Sequence, residues 1–416
     1  MDRHSLLVAG LTVFSLLVRL YKLDVPDRLI GDEVYYVPDA RSILGQNDLG
    51  LPIDPRKGHP PLGKMLIALG MYVFGDNPFG WRIMSVIAGT AAIPMFYLLV
   101  RRLLLGRKEM GQASLLACYL FAFESLTFYF SRVARIDIFM MFFFIAGAYF
   151  LLDDRLSRRI LSAPLFAASF LSKEAAIIMI LPLIFYAGLK KPEKKKSRSW
   201  KSRYDWRPVL ALSLATAASV AAIWYILEWG ILVPSSPNLI ERVLVMVSRL
   251  GITNPEAVGR SEIFLWFINY PVTRAVGILP GYDIEPSRVV TGPLFTAGLR
   301  YAYVIQASWT VLFFMAPSML YMLWLSRREM PPRFTIFYWF GGLLGWIVVN
   351  TVFRGLIYLF YVLTILPPVI IAISIYLARK TQAETGTKSI KWRSVAFLYS
   401  LLHLLNFLVL FPVPLS

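Results

Sequence analysis

The sequence predicts an all-α, polytopic membrane protein, and three observations carry that prediction. Hydrophobic residues make up 57% of the 416-residue chain and charged residues only 16%, whereas a soluble domain carries about 25% charged residues. The apolar residues come in runs of membrane length, a spanning helix needing roughly 20 of them. The basic residues collect in the loops that follow alternate runs, the pattern that fixes orientation in a bilayer.

Along the chain the runs place eleven spans, near 5–20, 81–100, 113–130, 135–152, 159–172, 174–189, 208–228, 302–325, 335–352, 355–377 and 394–411. The first lies behind a short basic start. No small-residue cleavage site follows it, the chain continuing Val18-Arg19-Leu20-Tyr21-Lys22, so it is expected to remain as a span rather than leave as a signal peptide. Arg101, Arg102, Arg107 and Lys108 follow the second span, and Arg155, Arg158 and Arg159 the fourth. The segment from Lys190 to Arg207, with nine basic residues, follows the sixth. Arg327, Arg328 and Arg333 follow the eighth, and Arg379, Lys380, Lys388, Lys391 and Arg393 the tenth. This alternation places the N-terminus in the cytoplasm and the C-terminus outside. It also divides 159–189 into two short spans, because one span there would move the basic segment to the other side.

The chain is then expected to be a single membrane domain, 1–416, with a basic cytoplasmic loop at 190–207 and two long outer loops. The first outer loop, 21–80, holds adjacent carboxylates, Asp32 and Glu33, and an apolar stretch from Leu62 to Phe74 that contains Lys64 and ends at Gly75-Asp76-Asn77-Pro78. That stretch suits a helix lying in the interface. The second, 229–301, has amphipathic stretches at Glu241–Leu250 and Ser261–Val272, with Trp266, Phe267 and Tyr270 suited to the headgroup region. Membrane lipids are therefore the first partners.

Several classes are excluded. The net charge of +18 resides in topology-setting loops with no nucleic-acid-binding motif, so no nucleic acid is expected. Cys118, the one cysteine, lies in an apolar run and is expected to be a small buried hydrophobe. No Gly-rich phosphate loop supports ATP-driven transport. His4 and His403 lie far in sequence from the outer loops, so His59 with an acidic residue is the one divalent-metal pairing on offer, and no cofactor is predicted. The charges gather at one face rather than mid-span, which favours an interfacial enzyme over a transporter or flippase.

Charged residues beside apolar runs are costly unless wet or paired, and so are functional candidates. Asp32 and Glu33 are the first. Their bland alternative is capping of the following helix. Four cations also sit on the expected outer side, where Lys and Arg should be scarce: Arg132, Arg135, Lys173 and Arg354. Cations facing a bundle interior at one membrane face suit a phosphate group; snorkelling to headgroups is the alternative. Asp137 could pair with Arg132 or Arg135 and orient it.

Gly31-Asp32-Glu33-Val34-Tyr35-Tyr36, His59-Pro60-Pro61-Leu62-Gly63-Lys64, Gly80-Trp81-Arg82 and Ser131-Arg132 with Asp137 resemble, in order, the N-terminal half of protein O-mannosyltransferases. The resemblance spans roughly residues 25–180, and Arg354 through Pro368 is similar to a late Tyr- and Pro-containing helix of that family. It implies a GT-C glycosyltransferase bundle with its site at the non-cytoplasmic face of a cell membrane, similar to prokaryotic members without the extra luminal domain. It implies a polyprenyl- or dolichyl-phosphate sugar as donor. By resemblance Asp32 is the base on the acceptor hydroxyl and Glu33 orients the acceptor or supports Asp32. Arg132 and Lys173 contact the donor phosphate, and His59 contacts donor or acceptor. Arg354 joins them, with Lys64 and Asp137 supporting. Relatives that transfer aminoarabinose to lipid A share the Asp-Glu pair and the Pro-Pro turn, which leaves a protein Ser/Thr or a lipid or envelope glycan as acceptor. The Trp-Trp-Asp motif of oligosaccharyltransferases is absent.

The chemistry such a family performs needs these residue types. A sugar on a lipid phosphate is activated, and the phosphate leaves when preorganised cations stabilise its growing charge. The acceptor hydroxyl is a weak nucleophile, and a carboxylate within hydrogen-bond reach accelerates attack by typically 10²–10⁴-fold. One base and one leaving phosphate give a single displacement, so inversion is expected; a retaining route would instead need a carboxylate placed as nucleophile on the opposite face of the sugar.

Overall fold

The computed structural model describes residues 3–46, 58–189, 204–231, 307–352, 358–383 and 387–411. Arg354, residues 190–203 of the basic loop and all of the second outer loop beyond residue 231 lie outside them. The described residues are helical almost throughout. Helices α1 (Arg3–Leu20), α2 (Glu33–Ile43), α3 (Pro61–Phe74), α4 (Pro78–Leu103), α5 (Met110–Ala122) and α6 (Ser125–Phe130) open the fold. Next come α7 (Asp137–Leu151), α8 (Leu156–Arg159), α9 (Ser162–Ser172), α10 (Ala176–Ala187) and α11 (Trp206–Tyr225), the last running into a π turn, Ile226–Ile231. Beyond residue 306 follow α12 (Trp309–Ser326), α13 (Met330–Thr351), a 3₁₀ turn (Leu359–Ile365), α14 (Leu366–Ala383) and α15 (Thr387–Leu410).

Seven described helices are long and apolar enough to cross a membrane: α1, α4, α11, α12, α13, α14 with its preceding turn, and α15. The chain is therefore an integral membrane protein by length and composition, but eleven full spans are not what the helices show. Helices α5, α7, α9 and α10 are 13, 15, 11 and 12 residues long. At ~1.5 Å per residue these are about 17 to 23 Å, short of the ~30 Å hydrocarbon core. The expected span 113–130 is broken where Glu124 starts a new helix by accepting a hydrogen bond from the Thr127 amide at 2.6 Å. Expected span 159–172 is likewise trimmed to α9 by the α8 turn.

Local chemistry sets the helix starts that position the site. Pro61 occupies the first turn of α3, where its missing N–H costs nothing. Pro78 does the same for α4, with the Asn77 side chain accepting from Gly80 N at 3.0 Å. Helix α7 packs against α4 and α9, and α3 against α4 and α9. Gly63 makes the last of these approaches, since a Cβ there would lie 2.6 Å from Ile136 and 3.0 Å from the Ser172 carbonyl. Helix α14 fills the centre, with Val369, Ile370, Ile371 and Ala372 fully buried.

The two ends of the bundle are chemically distinct. At one end, Arg379 joins Glu109 (2.6 Å) to Glu329 (2.6 Å), and Arg107 reaches Glu329 at 3.0 Å. Arg102 also pairs there with Asp153. These residues come from the loops expected in the cytoplasm. Asp32, His59, Arg135 and Lys173 meet at the other end, which fits the alternation and the division of 159–189 into two helices.

Candidate active site at one end of the bundle

Gly31, at φ +62°, adopts the left-handed backbone that turns the chain into α2. Asp32 then takes the N-cap position, yet its side chain makes no capping hydrogen bond. The carboxylate instead pairs with Arg135 and is 32% exposed, so capping does not account for this acid. Arg135 is buried and its Nε donates to Asp137 Oδ2 at 3.2 Å. The other Asp137 oxygen accepts from Lys173 Nζ at 2.6 Å. The result is an alternating row, Asp32–Arg135–Asp137–Lys173, whose only well-exposed member is the first carboxylate.

Aromatic rings wall this row. The Arg135 guanidinium lies 4.6 Å from the Phe130 ring centre and 4.4 Å from that of Phe360. Lys173 Nζ lies 5.0 Å from the Tyr361 ring, and Tyr361 stacks on Trp346 at 4.3 Å. Such faces hold cations while excluding water. Tyr36, buried on α2 and close enough to feel Asp32 and Asp137, has its hydroxyl pKa pushed up, chiefly by burial. Beside it His59 Nδ1 sits 2.8 Å from both oxygens of Glu174, in the turn between α9 and α10. Burial would raise the Glu174 carboxyl, but His59 brings it below its ordinary value. Among the described residues no group of three or more His, Cys, Asp or Glu could hold a metal.

Several expected site residues have other neighbours. Glu33 is fully buried and accepts four hydrogen bonds: from Arg82 Nε (2.8 Å) and a terminal Arg82 nitrogen (2.9 Å), Ile30 N (2.9 Å) and Ala134 N (2.9 Å). Its described acceptor bonds tie it to Arg82 and to the backbone at Ile30 and Ala134, with no exposed surface. Arg132 donates to the carbonyls of Tyr21 (2.6 Å) and Lys22 (3.0 Å) and faces the Phe128 and Phe411 rings. The cation at Asp32 is Arg135, and Asp137 pairs with Arg135 rather than Arg132. Lys64 is buried against Asp39 of α2 at 2.7 Å, tying α3 to the helix that Asp32 begins. Arg354 lies outside the described residues.

Arg82 was quoted in a motif but not singled out for the site. Besides Glu33 it donates to the carbonyls of Leu23 (3.0 Å), Pro26 (2.9 Å) and Arg28 (3.0 Å), so one side chain gathers the loop from α1 to Asp32. Its signal was an arginine one turn into an apolar run, costly unless paired.

A helical bundle with a charge row at each end and a partly exposed carboxylate at one of them has likenesses of fold among solved structures. The chain resembles ArnT from Cupriavidus metallidurans with a TM-score of 0.57 at 13% identity, over 99% of this chain and 77% of that one. It resembles the Archaeoglobus fulgidus oligosaccharyltransferase with a TM-score of 0.53 at 14% identity, over 99% and 57%. The fold is therefore that of the GT-C membrane glycosyltransferases.

Within that class the sequence match is narrower. Residues 58–224 match the family described as dolichyl-phosphate-mannose-protein mannosyltransferase, so the resemblance read from the motifs holds there. A polyprenol-phosphate-mannose–protein mannosyltransferase of Corynebacterium glutamicum is 35% identical over 156 residues, 35% of this chain and 29% of the relative. The chain thus spans less than a third of the length of this curated relative. The family match takes in His59, Arg82, Arg135, Asp137, Lys173 and Glu174, and begins after Asp32 and Glu33.

Proposed function

We propose that this protein is a glycosyltransferase that moves a sugar from a polyprenyl- or dolichyl-phosphate donor to a hydroxyl acceptor by inverting displacement. The relatives' names point to mannose as the sugar and protein as the acceptor, which for a hydroxyl acceptor means Ser or Thr side chains. The observation that carries the reading is the partly exposed Asp32 carboxylate paired with buried Arg135, with Lys173 joined to the same row through Asp137. One carboxylate open to an acceptor hydroxyl and two cations for a leaving phosphate are what the single displacement needs. Asp32 takes the proton as the hydroxyl attacks the sugar carbon. Arg135 and Lys173 stabilise the phosphate as its bond to that carbon breaks. Glu33, Arg82, Lys64 and Asp137 position these groups, and His59 with Glu174 borders the donor or acceptor space. Arg132, the expected phosphate contact, is assigned instead to holding the end of α1.

We infer an extracytoplasmic site at the cell membrane, a reading supported by the ion pairs of the opposite end, which belong to the basic loops. Cysteines introduced at the exposed positions Gln46 and Lys108 should then label from opposite sides of sealed cells. Labelling of both from one side overturns the orientation. The native Cys118 is buried and adds little background.

The Asp-Glu pair and Pro-Pro turn, shared with aminoarabinose transferases, keep open a second reading for the acceptor alone, a lipid or envelope glycan. Membranes incubated with radiolabelled polyprenyl-phosphate mannose, followed by separation of lipid and protein fractions, decide between them. Label in protein that β-elimination releases supports the first reading. Label in a new lipid or glycan supports the second, and label remaining in the donor refutes both.

A further inference from the structure

We propose that Arg135 couples donor binding to the catalytic base, holding Asp32 in the empty site and giving it up when a donor phosphate arrives. The inference rests on the lipid-phosphate donor reading above and deepens it. Asp32 is the one carboxylate of the row open to solvent, and its described charged partner is Arg135. A carboxylate engaged by a guanidinium is a poor acceptor for a hydroxyl proton, because taking the proton breaks the ion pair. The empty site therefore holds its base in check.

The row is also neutral, with two carboxylates against Arg135 and Lys173. A phosphate entering it adds negative charge, which is least costly if a cation turns toward it from the solvent-exposed Asp32, whose own charge water can then solvate. Lys173 can attract the phosphate but is not the cation that frees Asp32, since its Nζ pairs with the buried Asp137 at 2.6 Å. Arg135 is well placed. Its Nε remains with Asp137 at 3.2 Å, and its guanidinium carbon lies 4.6 Å from the Phe130 ring centre and 4.4 Å from that of Phe360, two rings that meet edge to face at 5.9 Å. A planar fork can serve a carboxylate and a phosphate from one plane. When phosphate takes the terminal nitrogen that faces Asp32, the carboxylate is freed beside the sugar. The base becomes competent only with donor in place.

Competition of this kind is a coupling between two ligands of one guanidinium, and it is reciprocal. Whatever weakens the hold of Asp32 on Arg135 must tighten phosphate. The test is titration of a purified polyprenyl phosphate, without sugar or acceptor, into detergent-solubilised wild type, Asp32→Asn, Arg135→Gln and the double variant. Elution as a single species on gel filtration selects the folded variants. Asp32→Asn should bind the lipid phosphate about tenfold more tightly than wild type, within the range of about 5–150-fold typical of coupled sites. In the Arg135→Gln background the same change should leave affinity unaltered, the signature of coupling through that residue. If Arg135→Gln fails to fold, Arg135→Lys replaces it and should shrink the tightening, since a point charge lacks the fork. Equal tightening in both backgrounds would mean that Asp32 merely repels the anion through space, and overturns the coupling. So does an unchanged affinity in Asp32→Asn when wild type binds saturably. Absence of saturable binding to wild type overturns the lipid-phosphate donor itself, a distinct outcome.

Discussion

Two rows of alternating charge lie at opposite ends of this bundle, and they use the same arithmetic for different ends. The row Asp32–Arg135–Asp137–Lys173 has two acids and two bases, as does Glu109–Arg379–Glu329–Arg107. In the first, the three inner members are almost wholly buried and rings from Phe130, Phe360 and Tyr361 close around them. In the second, Arg107 is exposed and the ion pairs join loops that already meet water. Breaking a buried pair leaves an uncompensated charge, whereas surface pairs contribute little and are screened. The second row is therefore read as a staple between loops and the first as the proposed site.

The largest effect that follows is on rate. Asp32→Asn keeps the size of the side chain but cannot take a proton. It should lower turnover by roughly two to four decades, the worth of a general base, while the protein elutes normally on gel filtration. Wild-type turnover in a purified assay would end the base assignment. Glu33→Gln sharpens the contrast between the neighbours. It should lose stability, because Arg82 is left buried without its anion, and any activity it loses should follow the folded fraction. If Glu33→Gln folds well and is inactive, the two carboxylates exchange roles.

A second effect should appear in folding rather than chemistry. Arg82→Gln removes the charge that answers Glu33 and three donors that gather the loop before α2. The expected cost is about 3–5 kcal/mol, that of breaking a buried pair, read as a lower melting temperature in detergent. Melting unchanged from wild type would show that the Glu33–Arg82 pair does not secure the loop.

These contrasts mark what the sequence could and could not show. The helical membrane class was legible because hydropathy and loop charge are properties of segments. Charges out of place were legible too, since Asp32 and Glu33 lie beside an apolar run and Arg132, Arg135 and Lys173 break a background poor in Lys and Arg. Which charge meets which was not. Successive residues at a helix start point about 100° apart, so Asp32 faces Arg135 while Glu33 turns inward to Arg82, and no pattern distinguishes adjacent carboxylates. Arg132 and Arg135 are three residues apart across a turn, and only its path sends one to the Tyr21 carbonyl and the other to Asp32. The break in span 113–130 did have a visible signal in Glu124, an acid inside an apolar run that serves as a helix cap. The short length of α5, α7, α9 and α10 had none, because apolar character runs past the points where their backbones turn.

The smallest expected effect tests the staple. Burial would raise the Glu329 carboxyl, but hydrogen bonds and charge from Arg379, with Arg107, hold it below its ordinary value. A carboxyl depressed in the folded state contributes stability that is fully present above its unfolded value of about 4.3. That stability is lost as pH falls through the lower folded value. Melting in detergent should therefore decline on acidification below about pH 4.3 in wild type, and less steeply in Arg379→Gln, where the depression is gone. At neutral pH the substitution should cost only about 1 kcal/mol, as for a partly exposed pair, with turnover nearly intact. A loss of turnover by decades in a well-folded Arg379→Gln would break the comparison, because a pair that only joins loops at the far end has no means of slowing chemistry at Asp32.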